Sequence, residues 1–306
     1  MIVIELAPYR IDLRVDNGFD NTVSRPVLST PMSSIPPQAP QPLAESPSAI
    51  ALDLRGVLTD IDDTLTYEGQ IAPEALTALA QLRAAGLVVI AITGRPAGWS
   101  EPFARDWPID AIVAENGGVA LAWRDGALVT RYAQDLITRT TNARRLKATA
   151  ARLLREVPQA RLARDSSGRI TDIAIDHAEY HQLDAAAIDQ VVAIMRAEGL
   201  NATVSSIHIN GWIGDHDKWS GARWIVREHC GVALEDERAR WVYVGDSAND
   251  QIMFQALPWS VGVANIAGYL PLLVHPPRYI TRAARGAGFA ELADHLLAQR
   301  ALRSTL

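Results

Sequence analysis

The sequence predicts an α/β protein whose parallel sheet carries an inserted α+β domain. Three observations lead there. Mostly apolar runs at 50–59, 87–92 and 241–244 each give way directly to a polar cluster. That is the pattern of strands buried on both faces of a parallel sheet. Between the first two runs, residues 73–85 begin with Pro73 and stop at Gly86, as a helix with favourable ends does. From about 122 to 206 the pattern changes to half-exposed strands and two helices.

Taken in order, residues 1–28 show no clear periodicity, and 29–48 carry Pro31, Pro36, Pro37, Pro40, Pro42 and Pro47. A stretch so poor in backbone donors reads as an extended or disordered linker, so 1–49 is set apart as an N-terminal extension. Residues 50–121 read strand, helix, strand, helix, strand, with 109–114 as the third strand. A hairpin around Asp125-Gly126 opens the second region. A helix at 143–156, a strand at 170–175, a helix at 185–198 and strands at 202–204 and 207–209 follow. They predict an antiparallel sheet with two helices on one face, occupying 122–206. The first domain then resumes at 207, runs to 306, and ends in a helix at 289–301.

Composition excludes several classes. The 306 residues are 48% apolar, ordinary for a globular protein, and carry a net charge of −6. No general attraction to nucleic acid or anionic membrane follows from that charge. No run of about 20 apolar residues appears, so no membrane span is expected. The start, Met1-Ile2-Val3-Ile4-Glu5-Leu6, lacks the basic region of a signal peptide. The single cysteine, Cys230, excludes an intrachain disulfide and fits a reducing compartment, so a cytoplasmic location is expected. Its place in the amphipathic run 224–230 reads as core packing.

The chemistry is concentrated at the strand ends, where open α/β sheets bind ligands. Asp60 and Asp62 are two apart, so in extended backbone they share a face. Two adjacent carboxylates repel, and one keeps its proton unless a cation intervenes. Such a pair supplies a nucleophile and an acid/base; an Asp-rich loop capping the next helix would carry the same residues. Asp63 reads as a turn residue, and Thr64 as a hydroxyl that bonds within the loop. Thr93-Gly94 ends the second run: a hydroxyl beside a residue whose backbone can approach an anion closely, or a helix N-cap, the two roles being compatible. Lys218 stands at a helix start, against the macrodipole, and gains from nearby anions. Asp246, Asn249 and Asp250 would share one face of a first helical turn, where hard oxygen ligands suit Mg²⁺ and an acidic helix start suits the dipole.

With those four stretches the chain resembles the haloacid dehalogenase superfamily of phosphohydrolases. Asp60 and Asp62 match its DxDxT motif, Thr93 its second motif, Lys218 its third, and Asp246 with Asp250 its GDxxND motif. Glu115-Asn116-Gly117-Gly118 looks like the stretch that precedes the cap in the type II, Cof-like branch. The resemblance implies a Rossmann-like core over 50–121 and 207–306, a cap over 122–206, and an aspartyl-phosphate intermediate. It implies Asp60 as nucleophile and Asp62 as general acid/base. Thr93, Gly94, Lys218 and Asn249 would bind phosphate. Asp60, Asp62 through its backbone carbonyl, and Asp246 would hold Mg²⁺, with Asp250 in support. The expected partner is a small phosphate ester, sugar phosphates first, with no nucleic acid and no membrane. Arg95, His177 and Glu179 are the candidates for reading the leaving group. A phosphomutase and a non-catalytic phosphate-binding protein are the rival readings of the same motifs.

Overall fold

The structure, a computed structural model, describes residues 2–6, 9–13, 39–47 and 53–303. The chain divides into two units, 1–38 and 39–306. In the first, Ile2–Leu6 pairs antiparallel with Tyr9–Leu13. The rest of the expected linker up to 38 lies outside the described residues, as do 48–52.

The second unit is built on a nine-stranded sheet. From one edge its order is Ala127–Tyr132, Val119–Arg124, Ala111–Ala114, Val88–Ile92, Gly56–Thr59, Trp241–Gly245, Trp259–Gly262, Tyr279–Ile280 and Gln41–Pro42. All pairings are parallel except the two that involve Val119–Arg124. Gly56–Thr59 is central because its apolar residues face both ways. Val57 packs with Leu79, Leu82, Phe289 and Leu292 on one face, and Leu58 with Ala222, Ile225, Val226 and Phe254 on the other. Full burial of such side chains contributes about 1.5–3 kcal/mol each. The chain continues to Val88–Ile92 on one side of this strand, and Trp241–Gly245 lies on its other side. The direction of winding therefore reverses there, and the switch point opens a crevice at Asp60.

A second sheet of four antiparallel strands is ordered Arg161–Leu162, Asp172–Asp176, His208–Trp212, Asn201–Val204. The helices Leu136–Glu156 and Ala185–Ala197 pack on it through Leu146, Leu153, Val191 and Met195. This is the antiparallel layer with two helices that the sequence predicts, but its bounds differ. The Asp125-Gly126 hairpin forms as expected, with φ of 51° and 79° at its two turn residues, yet it extends the large sheet. The strand at 207–209, where the first domain was to resume, is His208–Trp212 in the middle of the small sheet. The return to the large layer comes at the helix Lys218–Cys230.

The linker expectation also fails at its end. Gln41–Pro42 joins the sheet edge beside Tyr279–Ile280, and Leu43 is buried in the core. An edge strand tolerates a proline because one side of it needs no donor. Among the described residues no helix is long and apolar enough to cross a membrane. Cys230 is half-buried against the second core cluster, and burial raises its thiol pKa.

Candidate active site

Asp60 follows the central strand, and its backbone N–H donates to Val244 O at 2.9 Å. This places its carboxylate, 4% exposed, over the crevice. Lys218 Nζ reaches Asp60 Oδ1 at 2.7 Å and Asp250 Oδ1 at 2.7 Å. The ammonium is thus fully buried between two carboxylates. Burial alone would lower its pKa, but Asp250 and Asp60 outweigh burial and raise it, so Lys218 is a fixed cation. Burial pushes Asp60 up to about 8, with Lys218 pulling down and Asp250 pushing up.

The helix that carries Lys218 starts with a capping box. Asp217 accepts from Ser220 N, and Ser220 Oγ accepts from Asp217 N. Gly117, at φ 105°, lets the Glu115–Gly117 turn pass against the carbonyl of Asp217, where any side chain would collide. The Glu-Asn-Gly-Gly run therefore seats the helix start that presents Lys218.

Asp246 and Asp250 come from one short segment but do different work. Asp250 accepts four hydrogen bonds: from Lys218 Nζ and the Tyr243 hydroxyl on Oδ1, and from Asp246 N and Ser247 N on Oδ2. A carboxylate so engaged has no lone pair directed elsewhere and acts as a strut. Asp246 Oδ2 accepts from Asn265 Nδ2 at 3.1 Å, while its Oδ1 is buried with no partner. Burial, then Asp60 and Asp250, raises the Asp246 pKa well above the usual carboxylate range.

Carboxylate oxygens of Asp60, Asp246 and Asp250 lie within 4.8 Å of one another. An unpartnered buried oxygen beside a second carboxylate is what a hard divalent cation such as Mg²⁺ needs. The residues fit that ion with Asp60 and Asp246 as ligands and Asp250 behind them.

Thr93 is fully buried and lines the crevice, with its Oγ1 accepting from Arg95 N at 3.0 Å. Gly94 accepts on its carbonyl from Arg169 Nη1 and Asn210 Nδ2. A Cβ there would press on Asn210 and Asn116 at 3.1–3.3 Å. Asn249 lines the crevice and accepts from Ser247 Oγ at 2.8 Å.

Asp62 is held by Arg95, whose Nε and Nη2 reach its carboxylate at 2.9–3.0 Å. The same guanidinium reaches into the small layer. It bonds Glu179 at 2.7 and 3.2 Å and Asp165 at 3.2 Å. Glu179 in turn contacts His208 Nε2 at 2.9 Å. Burial would raise the Glu179 pKa, but hydrogen bonds from His208 and Arg95 bring it down to about 2. Arg95 thus ties the two layers together across the acid/base candidate. The chamber between them holds only about 10 Å³ of free volume, room for no more than about one water.

Of the sequence candidates, Asp60, Asp62, Thr93, Gly94, Arg95 and Asn249 line this chamber, while Lys218 and Asp250 stand directly behind Asp60. Glu179 meets it through Arg95. His177 does not reach it: the ring is buried and contacts Ser205 O, holding the turn whose neighbours form the chamber wall. Thr64 does not stiffen its loop as expected, since its hydroxyl is buried without a partner; Thr66 Oγ1 bonds Ile61 O instead. Asp63 is the expected turn residue, at φ 52°, paired with Arg285.

Tyr243, Asn265, Asp165 and Arg169 were not foreseen. Tyr243 alone left a signal, as the polar residue inside an otherwise apolar strand. Glu115 opens the Glu-Asn-Gly-Gly run. Its buried carboxylate accepts from Ala97 N, from Ile170 N and from the backbone and hydroxyl of Thr171, and so joins the two layers.

A family model described as haloacid dehalogenase-like hydrolase matches residues 57–144, the stretch that carries Asp60, Asp62 and Thr93. Over that stretch the chain is similar to the haloacid dehalogenase-like hydrolases. Phosphatases are among its named relatives. A phosphoglycolate phosphatase of Methanothrix thermoacetophila is 27% identical over 256 residues, covering 82% of this chain and 97% of that protein. Among solved structures, a Thermoplasma acidophilum protein superposes with a TM-score of 0.60 at 19% identity, over 80% of this chain and 98% of the other. The sucrose-phosphatase of Synechocystis, solved with sucrose and phosphate, superposes with a TM-score of 0.56 at 16% identity, over 80% and 98%. These two structural likenesses establish the shared fold.

Proposed function

We propose that this hydrolase is a Mg²⁺-dependent phosphomonoesterase acting on a small phosphate ester through a phosphorylated Asp60. The observation that carries the reading is Lys218 Nζ bridging Asp60 and Asp250 beside the unpartnered oxygen of Asp246. A binding module needs no such set.

In this reading Asp60 Oδ attacks phosphorus, forming an acyl phosphate as the ester oxygen departs. Lys218 neutralises charge on the phosphoryl oxygens, and Thr93 Oγ1 with the Gly94 N–H supplies donors. Mg²⁺, held by Asp60 and Asp246, would add charge neutralisation of the same kind. Asp62 gives a proton to the leaving oxygen and later takes one from water, whose attack on the acyl phosphate regenerates Asp60. Arg95 engages both oxygens of Asp62. It must therefore slacken its hold when substrate enters, and the nearly closed chamber must open with it. The small layer, 136–214, would be the cap that moves and selects the leaving group. The names of the relatives, a phosphoglycolate phosphatase and a sucrose-phosphatase, support a small metabolite as substrate.

The test is phosphate release from 4-nitrophenyl phosphate with Mg²⁺ and with EDTA, for the unsubstituted chain and Asp60→Asn. The reading expects turnover that needs metal and is lost in the variant. Turnover that survives EDTA, or survives Asp60→Asn, overturns it.

A further inference from the structure

Asn265 ties together three chain segments beside the oxygens proposed for Mg²⁺. It lies in the turn Ala264–Gly268, after the strand Trp259–Gly262. That strand neighbours Trp241–Gly245, which leads to Asp246, and Trp241–Gly245 neighbours Gly56–Thr59, which leads to Asp60. Asn265 Nδ2 donates to Asp246 Oδ2 at 3.1 Å and to the Asp63 carbonyl at 3.0 Å. Its Oδ1 accepts from Arg285 N at 3.0 Å. The N–H of Arg285 can only donate and the Asp63 carbonyl can only accept, so the amide has one orientation.

Arg285 closes the arrangement into a ring. Its Nε reaches Asp63 Oδ1 at 2.8 Å, and its guanidinium lies 4.2 Å from the centre of the Tyr67 ring. Asn265, Asp63 and Arg285 therefore bond one another in a triangle, and Asp246 is held from one corner of it. Asp63 and Arg285 both have left-handed backbone, at φ 52° and 53°. Residues other than glycine seldom adopt that region, and such strain persists where the surroundings fix it and where function uses it.

The effect falls on Asp246. With Oδ2 held by Asn265, Oδ1 is the buried oxygen left without a partner. The turn 60–63, which the same amide grips at the Asp63 carbonyl, carries Asp60 and the Asp62 carbonyl expected at the ion. One side chain thus sets the spacing between the two sides of the proposed metal site. Mg²⁺ demands near-ideal geometry with oxygens at about 2.0–2.1 Å, whereas Ca²⁺ accepts a flexible set at about 2.3–2.6 Å. A rigid spacing can discriminate between the two ions, and a slack one cannot.

We infer that Asn265, locked by Asp63 and Arg285, is the positioning residue that makes this site select Mg²⁺ over Ca²⁺. The assignment rests on the reading of Asp60 and Asp246 as metal ligands. Asn265 acts through Asp246 and the turn 60–63. A tie that only stabilised the fold would weaken both ions alike.

The experiment titrates MgCl₂ and CaCl₂ into the full chain, freed of metal, by isothermal titration calorimetry. It compares the unsubstituted chain, Asn265→Ala and Arg285→Ala, with urea unfolding in EDTA recording the stability of each without metal. Asn265→Ala should weaken Mg²⁺ binding about 10- to 100-fold, the usual cost of losing a group that orients a metal ligand. Ca²⁺ binding should weaken by no more than about threefold, since its looser geometry tolerates the slack. Arg285→Ala keeps the backbone donor and removes the Asp63 pair, so it should shift the ratio of Mg²⁺ to Ca²⁺ affinity in the same direction by about threefold. If Asn265→Ala does not fold, the ratio in Arg285→Ala decides. An equal loss for both ions, or an unchanged Mg²⁺ affinity, overturns the inference, while metal-dependent turnover of 4-nitrophenyl phosphate keeps the phosphatase reading. Absence of Mg²⁺ binding in the unsubstituted chain overturns both.

Discussion

Asp246 and Asp250 are four residues apart and equally buried, yet their replacement by asparagine should change stability in opposite directions. In Asp250→Asn the amide can keep the two donors on Oδ1, but its NH₂ group then faces the N–H groups of Asp246 and Ser247. Two buried donors lose their acceptor, at about 1–3 kcal/mol each. Lys218 also loses one of its two anions, and breaking a buried ion pair from one side costs about 3–5 kcal/mol on its own. Part of that is recovered through Asp60, so a net loss of about 4–6 kcal/mol is expected, a large share of the about 5–15 kcal/mol that holds a typical domain together. In Asp246→Asn the outcome reverses. The Oδ2 acceptor for Asn265 is kept, and the unpartnered Oδ1 becomes an amide donor among carboxylates. Relief of one unsatisfied, repelling group should stabilise the metal-free protein by about 1–3 kcal/mol. Urea unfolding in EDTA, followed by circular dichroism, gives both numbers. Added Mg²⁺ should then stabilise the unsubstituted chain by mass action and leave Asp246→Asn unmoved. Loss of stability in both variants, or a gain in both, would refute the division of labour between strut and ligand.

Three further outcomes follow from the same geometry. Lys218→Met should lower kcat about 100- to 1,000-fold and destabilise the fold by about 3–5 kcal/mol, read by steady-state kinetics and urea unfolding, because Asp60 and Asp250 lose the charge between them. Glu179→Gln should be less stable than the unsubstituted chain near neutrality. The Glu179 pKa is depressed from 4.5 to about 2, so its contribution is present above about 4.5 and fades as pH falls toward about 2. Urea midpoints of the two proteins should therefore converge across that window. Thr171→Val removes a hydroxyl that donates to Glu115 at 2.6 Å. It should cost about 1.5–3 kcal/mol and speed amide hydrogen exchange at Ile170 and Thr171.

How far the sequence could be read depended on range. The candidate carboxylates Asp60 and Asp246 were legible because each follows an apolar run within the same strand, and a strand end is a local property. Lys218 was legible only through its place in the series, since nothing local foretells that its ammonium lies between Asp60 and Asp250. The bounds of the inserted layer differ for another reason. The hairpin at Asp125-Gly126 alternates in the same way whichever sheet it joins, and alternation does not reveal that its first strand folds straight back onto Ala111–Ala114. Pro42 pointed to a linker, while Leu43, the residue that anchors the segment, is one apolar side chain among prolines. His177 and Glu179 stand two residues apart, but only Glu179 meets Arg95; His177 turns to the Ser205 carbonyl. Asn265 leaves no mark in the sequence, because its bonds to Asp246 and to the Asp63 carbonyl depend on the order of strands in the sheet.

The most direct test of the central claim is to trap the covalent intermediate. Enzyme turning over 4-nitrophenyl phosphate with Mg²⁺ is quenched in acid, reduced with borohydride and digested, and the peptide containing Asp60 is read by mass spectrometry. The account predicts that the Asp60 carboxyl alone is reduced to the alcohol, in the presence of substrate and not without it. A reduced carboxyl at another residue, or none during active turnover, would contradict it.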